Sequence, residues 1–176
     1  MIKILGLCGS LRLHSRSRSL LQASAILAGP EHDFVLFESL GDLPLFNPDI
    51  TQDLPEAVLR LWHEVDQADV LLIVSPEYAH GVTGTIKNAL DWLVGYTPFT
   101  NKPVAVFNPS HRAEHADAAL KEILKTMNAQ LISNACLRIA VTSCELRAEE
   151  IANTDPFCSL IKLALREMTL QLGDIT

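Results

Sequence analysis

Three short apolar runs constrain this chain more than any other feature: Ile2 to Cys8, Val70 to Ser75 and Pro103 to Asn108. None alternates between apolar and polar residues. A strand with one face in water alternates, whereas a strand covered on both faces reads as a continuous apolar run. Phe34 to Phe37 and Leu137 to Val141 are two weaker strand candidates.

Helical periodicity fills the intervals. Ser19 to Leu27 carries Leu20, Leu21, Ala23 and Leu27. Pro55 to Ala68 sets Val58, Leu59, Trp62 and Val65 on one stripe, with Pro55 suited to a first helical turn. Thr83 to Val94, Ala113 to Met127 and Pro156 to Leu172 repeat the pattern. Five strands alternating with five helices predict βαβ crossovers, and so an α/β fold with a parallel sheet covered on both faces. The segment Gly41 to Asp49, with two prolines and no period, predicts a surface loop whose Leu45 and Phe46 turn inward or face a partner.

A length of 176 residues suits one domain, and 48% hydrophobic residues supply its core. The net charge of −7 excludes broad electrostatic binding to nucleic acid or an anionic membrane, but not a local basic pocket. No apolar run approaches the roughly 20 residues that span a bilayer. The apolar start at Met1 breaks at Gly9-Ser10, which reads as a first strand rather than a leader. The four cysteines lack C-x-x-C spacing, so the expectation is a cytoplasmic protein with reduced thiols.

Ligands of open α/β sheets sit outside the carboxyl ends of the strands. Three loops follow strong strands here: Gly9 to Ser19, Pro76 to Gly84 and Pro109 to His115. The first opens a helix, whose N-terminal N–H groups and dipole favour an anion. It carries four serines and Arg12, Arg16 and Arg18, and it lacks both G-x-G-x-x-G and G-x-x-x-x-G-K-[ST]. A phosphate monoester fits this loop better than a dinucleotide or a nucleoside triphosphate. The plainer reading is that its serines cap the helix and its arginines are solvated. In the second loop, glycines allow tight turns and close backbone approach to a flat ligand, and Tyr78 is placed to line a ring-binding slot.

With Gly9-Ser10-Leu11-Arg12, Ser15 and Ser17 on one side, and Pro76-Glu77-Tyr78, Gly84 and Lys87-Asn88-Ala89-Leu90-Asp91-Trp92 on the other, the chain resembles the NADPH-dependent FMN reductase family of flavodoxin-like flavin, quinone and chromate reductases. Leu43-Pro44-Leu45-Phe46-Asn47 is similar to a further loop of that family, so the resemblance covers roughly residues 2 to 108.

The resemblance implies a flavodoxin-like three-layer sandwich with a five-stranded parallel sheet in the order 2-1-3-4-5. It implies FMN at the strand ends, NADPH or NADH as hydride donor, and a small-molecule acceptor: a quinone, azo compound, metal oxyanion or free flavin. Ser10, Arg12, Ser15 and Ser17 would hold the FMN phosphate. Pro76, Glu77, Tyr78, Ala79, His80, Gly81 and Ser110 would line the ring. Lys87, Asn88, Asp91 and Trp92 would be structural or interfacial, in a homodimer or homotetramer. The third loop, Asn108-Pro109-Ser110-His111-Arg112-Ala113, departs from the glycine-rich loop of many relatives; Ser110, His111 and Arg112 are placed to meet the flavin edge or a nicotinamide phosphate.

Other residues read more plainly. His111 and His115 stand i, i+4 without H-E-x-x-H or a third ligand, so a solvated helix start is expected and no metal site. Cys8 reads as a small core residue, Trp62 and Trp92 as core or interface, and Glu145 to Glu150 as a solvated helix start. No acid–base or nucleophile constellation stands out, as suits a protein whose cofactor carries the chemistry. Two further readings stay open: a one-electron carrier of the flavodoxin type, and a non-enzymatic module of the same fold.

Overall fold

The computed structural model describes residues 1–50 and 52–173. The apolar runs form the middle of one parallel sheet. Strand β1 (Ile2–Cys8) pairs with β2 (His32–Phe37) on one side and β3 (Val70–Val74) on the other. β3 then pairs with β6 (Pro103–Asn108). Two short strands, β7 (Gln130–Leu131) and β8 (Leu137–Arg138), share the far edge of β6. The order β2-β1-β3-β6-β7 is the flavodoxin-like doubly wound order, with a switch point between β1 and β3.

Successive residues of each central strand enter different cores, which is why these runs do not alternate. Ile4, Val70, Leu72, Val74 and Phe107 face α1 (Arg16–Leu27), α5 (Ala148–Ala152) and α6 (Phe157–Gly173). Leu5, Leu7, Leu71, Ile73 and Val106 face α2 (Glu56–Gln67), α3 (Gly84–Leu93) and α4 (Glu114–Thr126). Strand β2 has a partner on one side only and is mostly half-buried, which explains its weak apolar signal.

Several expectations are refined. Helix α1 begins three residues before Ser19, because the Ser15 hydroxyl caps it by accepting the Arg18 N–H at 3.1 Å. Pro55 stands at the N-cap of α2, one residue before the first turn. Of the expected fifth strand, Leu137 to Val141, only Leu137–Arg138 is strand, and a second stub, Gln130–Leu131, precedes it across a 3-10 turn over Ser133–Ala135. An edge strand has hydrogen bonds on one side only, so a turn can interrupt it cheaply. Contact with β6 and its following loop persists past β8, where the Ile139 and Val141 N–H groups reach Asn108 O and Pro109 O at 2.8 and 3.1 Å.

Residues 145–150 do start a helix, but α5 is not merely solvated. Its Ala148, Ile151 and Ala152 are buried, in the core that also holds α1.

The irregular Gly41 to Asp49 segment is pinned by α3. Asn88 donates to Pro44 O at 3.0 Å and accepts the Phe46 N–H at 2.8 Å. The Trp92 indole donates to Pro44 O at 2.8 Å and meets Phe46 edge-on, with ring centroids 5.0 Å apart. These contacts account for Asn88 and Trp92 as structural residues. Leu45 nevertheless stays exposed.

Candidate functional site

Loops after β1, β3 and β6 meet at the carboxyl edge of the sheet around a cleft of about 350 Å³. Gly9 starts the first loop, its N–H donating to Val74 O at 2.8 Å. A Cβ at Gly9 would stand 2.3 Å from Ser75 Oγ and 2.9 Å from Ile86 Cγ1, so the close approach of the two loops requires glycine. Ser10 is buried beyond it, with its hydroxyl 3.4 Å from the Tyr78 hydroxyl and accepting the Arg12 N–H at 3.4 Å.

Ser10, Arg12, Ser15 and Ser17 all line the cleft. Ser17 is 1% exposed, and its Oγ has no hydrogen-bond partner. A buried hydroxyl without a partner costs free energy unless a ligand completes it. Arg12 and Arg16 line the same cleft and pair with no carboxylate among the described residues. Arg18 does not join them, because its guanidinium turns away to Glu38 at 2.7 Å.

The second loop is a small hairpin of β4 (Glu77–Tyr78) and β5 (Gly81–Val82). Its tight turn is not made by glycine. Ala79 and His80 hold φ of 49° and 57°, while no described glycine has positive φ. Of the two-residue hairpin turns that match strand twist, type I′ needs positive φ at both central positions. Here two side-chain-bearing residues carry that strain, about 1–3 kcal/mol each.

The hairpin is held from α4. Glu77 Oε2 accepts the Ala116 N–H at 2.8 Å, and Oε1 lies 3.2 Å from His80 Nδ1. The bond from Ala116 lowers the Glu77 pKa from its ordinary value, with smaller contributions from His80 and His115. Its carboxylate is therefore a brace rather than an available base. His115, expected as a solvated residue of the helix start, meets His80 edge-on with centroids 4.7 Å apart. No group of three or more metal-ligating side chains occurs among the described residues.

Pro76, Glu77 and Tyr78 line the cleft, and Tyr78 presents a ring that is 52% exposed. Ala79 and His80, in the hairpin turn, and Gly81, which opens β5, are not among its lining residues. Ser110 lines the cleft from the third loop. That loop is braced internally: the Ser110 N–H donates to Asn108 Oδ1 at 3.0 Å, and the Arg112 N–H to Ser110 Oγ at 3.2 Å.

Sequence reasoning did not single out Cys144, which also lines the cleft. It comes from a segment after β8 without periodicity, so only the fold brings it near. Cys8 is a core residue, as expected; its thiol donates to Ser10 O at 3.4 Å, and burial pushes its pKa up.

The residues present fit a flavin mononucleotide. A phosphate at the start of α1 would meet helix N–H groups, the unpartnered Ser17 hydroxyl and the uncompensated Arg12, with a flat aromatic surface nearby.

A 2-hydroxy-1,4-benzoquinone reductase from Burkholderia sp is 38% identical over 112 residues, covering 62% of this chain and 61% of that protein. An NAD(P)H-dependent FMN reductase from Pseudomonas aeruginosa is also 38% identical over 112 residues, covering 62% of this chain and 60% of its own. These alignments thus span about three-fifths of either relative. The flavoenzyme NAD(P)H:(acceptor) oxidoreductase FerB from Paracoccus denitrificans superposes with a TM-score of 0.80 at 27% identity, over 99% of this chain and 98% of FerB. Residues 2–141 match the family described as NADPH-dependent FMN reductase. With this match over most of its length and a flavodoxin-like sheet order, the chain belongs to the NADPH-dependent FMN reductase family.

Proposed function

We propose that the protein is an FMN-dependent oxidoreductase, a single flavodoxin-like domain that takes reducing equivalents from NADPH or NADH and delivers them to a small acceptor of the quinone class. The observation that carries this reading is the Ser17 hydroxyl, buried without a partner in the cleft that Arg12 also lines at the mouth of α1. The names of the relatives, a benzoquinone reductase and an NAD(P)H-dependent FMN reductase, support the choice of cofactor and acceptor.

Ser10, Ser15, Ser17 and Arg12 hold the FMN phosphate in this reading, with the first-turn N–H groups of α1. Pro76, Glu77, Tyr78 and Ser110 line the ring, with the backbone of Ala79, His80 and Gly81 at its edge. Bound FMN supplies the two-electron chemistry, accepting hydride from the nicotinamide and passing electrons to the acceptor. The chain itself binds and orients. Glu77 already accepts from Ala116 and His80, so it serves to hold the second loop in place rather than to move a proton.

Four free cysteines suit a cytoplasmic setting, and no described helix is long and apolar enough to cross a membrane. The exposed Leu45 and Val94, with the partly exposed Phe46, suit contacts between copies of the chain in a homodimer or homotetramer.

The test is an absorbance spectrum of freshly purified protein, followed by FMN titration and NADPH oxidation with a quinone. Yellow protein or saturable FMN uptake, with quinone-dependent NADPH oxidation, is the expected result. Colourless protein that takes up no FMN would overturn the reading. A semiquinone that accumulates on stepwise photoreduction would instead identify a one-electron carrier.

A further inference from the structure

The cleft holds more positive charge than one phosphate uses. An FMN phosphate, carrying about two negative charges, is matched by Arg12, the serines and the start of α1. Arg16 and Arg112 remain. Neither faces a carboxylate among the described residues, in a chain whose net charge is −7. The same two arginines also line a second, smaller cleft of about 210 Å³, which shares Pro109 and Ser110 of the third loop with the first.

No acidic residue lines this second cleft. Two acids of the adjoining segments are already engaged: Glu114 with Arg138 at 3.1 Å, and Glu77 with Ala116 and His80. Ser110, Thr142 and His111 add hydrogen-bonding groups to its wall. The Ser110 hydroxyl oxygen accepts the Arg112 N–H, which leaves its own proton to donate.

The frame that carries Arg112 is fixed without a ligand. Val141 N–H donates to Pro109 O at 3.1 Å, and the Arg138 guanidinium donates to His111 O at 3.4 Å. Arg16 at the start of α1 and Arg112 on the braced third loop, lining one cleft beside hydroxyl groups, suit a second phosphate.

We propose that Arg16 and Arg112 form a second phosphate site, which takes a phosphate of the nicotinamide dinucleotide. This rests on the reductase reading for the source of that phosphate, though the anion site itself stands on the geometry. Two groups of the dinucleotide share the required chemistry: the 2′-phosphate that distinguishes NADPH from NADH, and the pyrophosphate common to both.

The test is calorimetric titration of the FMN-loaded protein with 2′,5′-ADP and with ADP, on the wild type and on Arg112→Ala, Arg112→Lys and Arg16→Ala. Either alanine variant should weaken at least one probe by roughly tenfold, the scale of one charge-assisted hydrogen bond. Arg112→Lys should recover only part of the loss, because lysine lacks the planar fork. FMN affinity of Arg112→Ala, measured in parallel, should change less than about threefold; retained FMN uptake shows that the variant folds.

An effect confined to 2′,5′-ADP assigns the site to the 2′-phosphate, and an equal effect on ADP assigns it to the pyrophosphate. Unchanged affinity for both probes in both alanine variants would overturn the proposal. So would a loss of FMN affinity as large as the loss of the probe, since Arg112 would then serve the flavin phosphate. If the wild type takes up no FMN at all, the reductase reading fails, and titration of that same protein with 2′,5′-ADP decides the anion site by itself.

Discussion

The loops after β1 and β3 reach the same cleft in opposite conditions. The first leaves polar groups unsatisfied: Ser17 is buried with no partner for its hydroxyl, and Arg12 and Arg16 face no carboxylate among the described residues. The second satisfies its own needs, with Glu77 bonded to α4 and the hairpin closed through strained turn residues. The first loop therefore depends on a ligand to complete it, whereas the second is a preformed surface against which a ligand can lie. An anchor and a platform need these different conditions, because an anion replaces hydrogen bonds to water while a flat ring needs fixed shape.

The largest effect should come from the contact between the two loops. Gly9→Ala would drive a Cβ into Ser75 and Ile86 and should destabilise the fold by about 3 kcal/mol, read from chemical denaturation. Arg12→Ala should leave the fold intact and weaken FMN by about 1.5–3 kcal/mol in a fluorescence titration. If FMN binding were unchanged, the first loop would not be the anchor.

Ser17→Ala sharpens the contrast because its two effects have opposite signs. Removing a buried hydroxyl that lacks a partner should stabilise the apoprotein by about 1 kcal/mol and weaken FMN by about the same amount. A fall in apoprotein stability would show that Ser17 is satisfied without a ligand.

Glu77 tests the platform through pH. Its folded-state pKa is depressed, so the brace contributes stability above the unfolded value near 4.5 and loses it as pH falls through the lower folded value. Glu77→Gln should flatten the acid limb of the thermal midpoint against pH, and an unchanged limb would show that other carboxylates set it. The smallest effect belongs to Gly84, where an added Cβ meets nothing within 4 Å and φ is not positive. Gly84→Ala should raise stability by about 0.5 kcal/mol in the same denaturation experiment.

Much of the fold was legible because burial is written locally and periodically. Ile2–Cys8 and Pro103–Asn108 appear as strands over the ranges that their apolar runs predict. The stripe of α2 buries the expected Val58 and Val65, though Leu59, expected on the same stripe, is exposed, and α3 and α4 bury Ile86 and Leu120. The edge was harder to read. A strand with one neighbour has neither a continuous apolar run nor a need for one, and the 3-10 turn at Ser133–Ala135 left no periodic mark.

The candidate site shows the same division. Composition and position marked the three loops, and the eight expected residues from Ser10 to Ser110 that line the cleft lie on them. The sequence by itself determined the alternation of strands and helices, hence the carboxyl-edge location of the cleft and the kinds of group around it. Only the tertiary structure decided which groups are committed elsewhere. Arg18 is taken by Glu38, Glu77 by an amide 39 positions away, and the turn expected of glycine falls to Ala79 and His80. Periodicity is a property of neighbours in the chain, but a hydrogen bond is completed by whichever group the fold brings within about 3 Å.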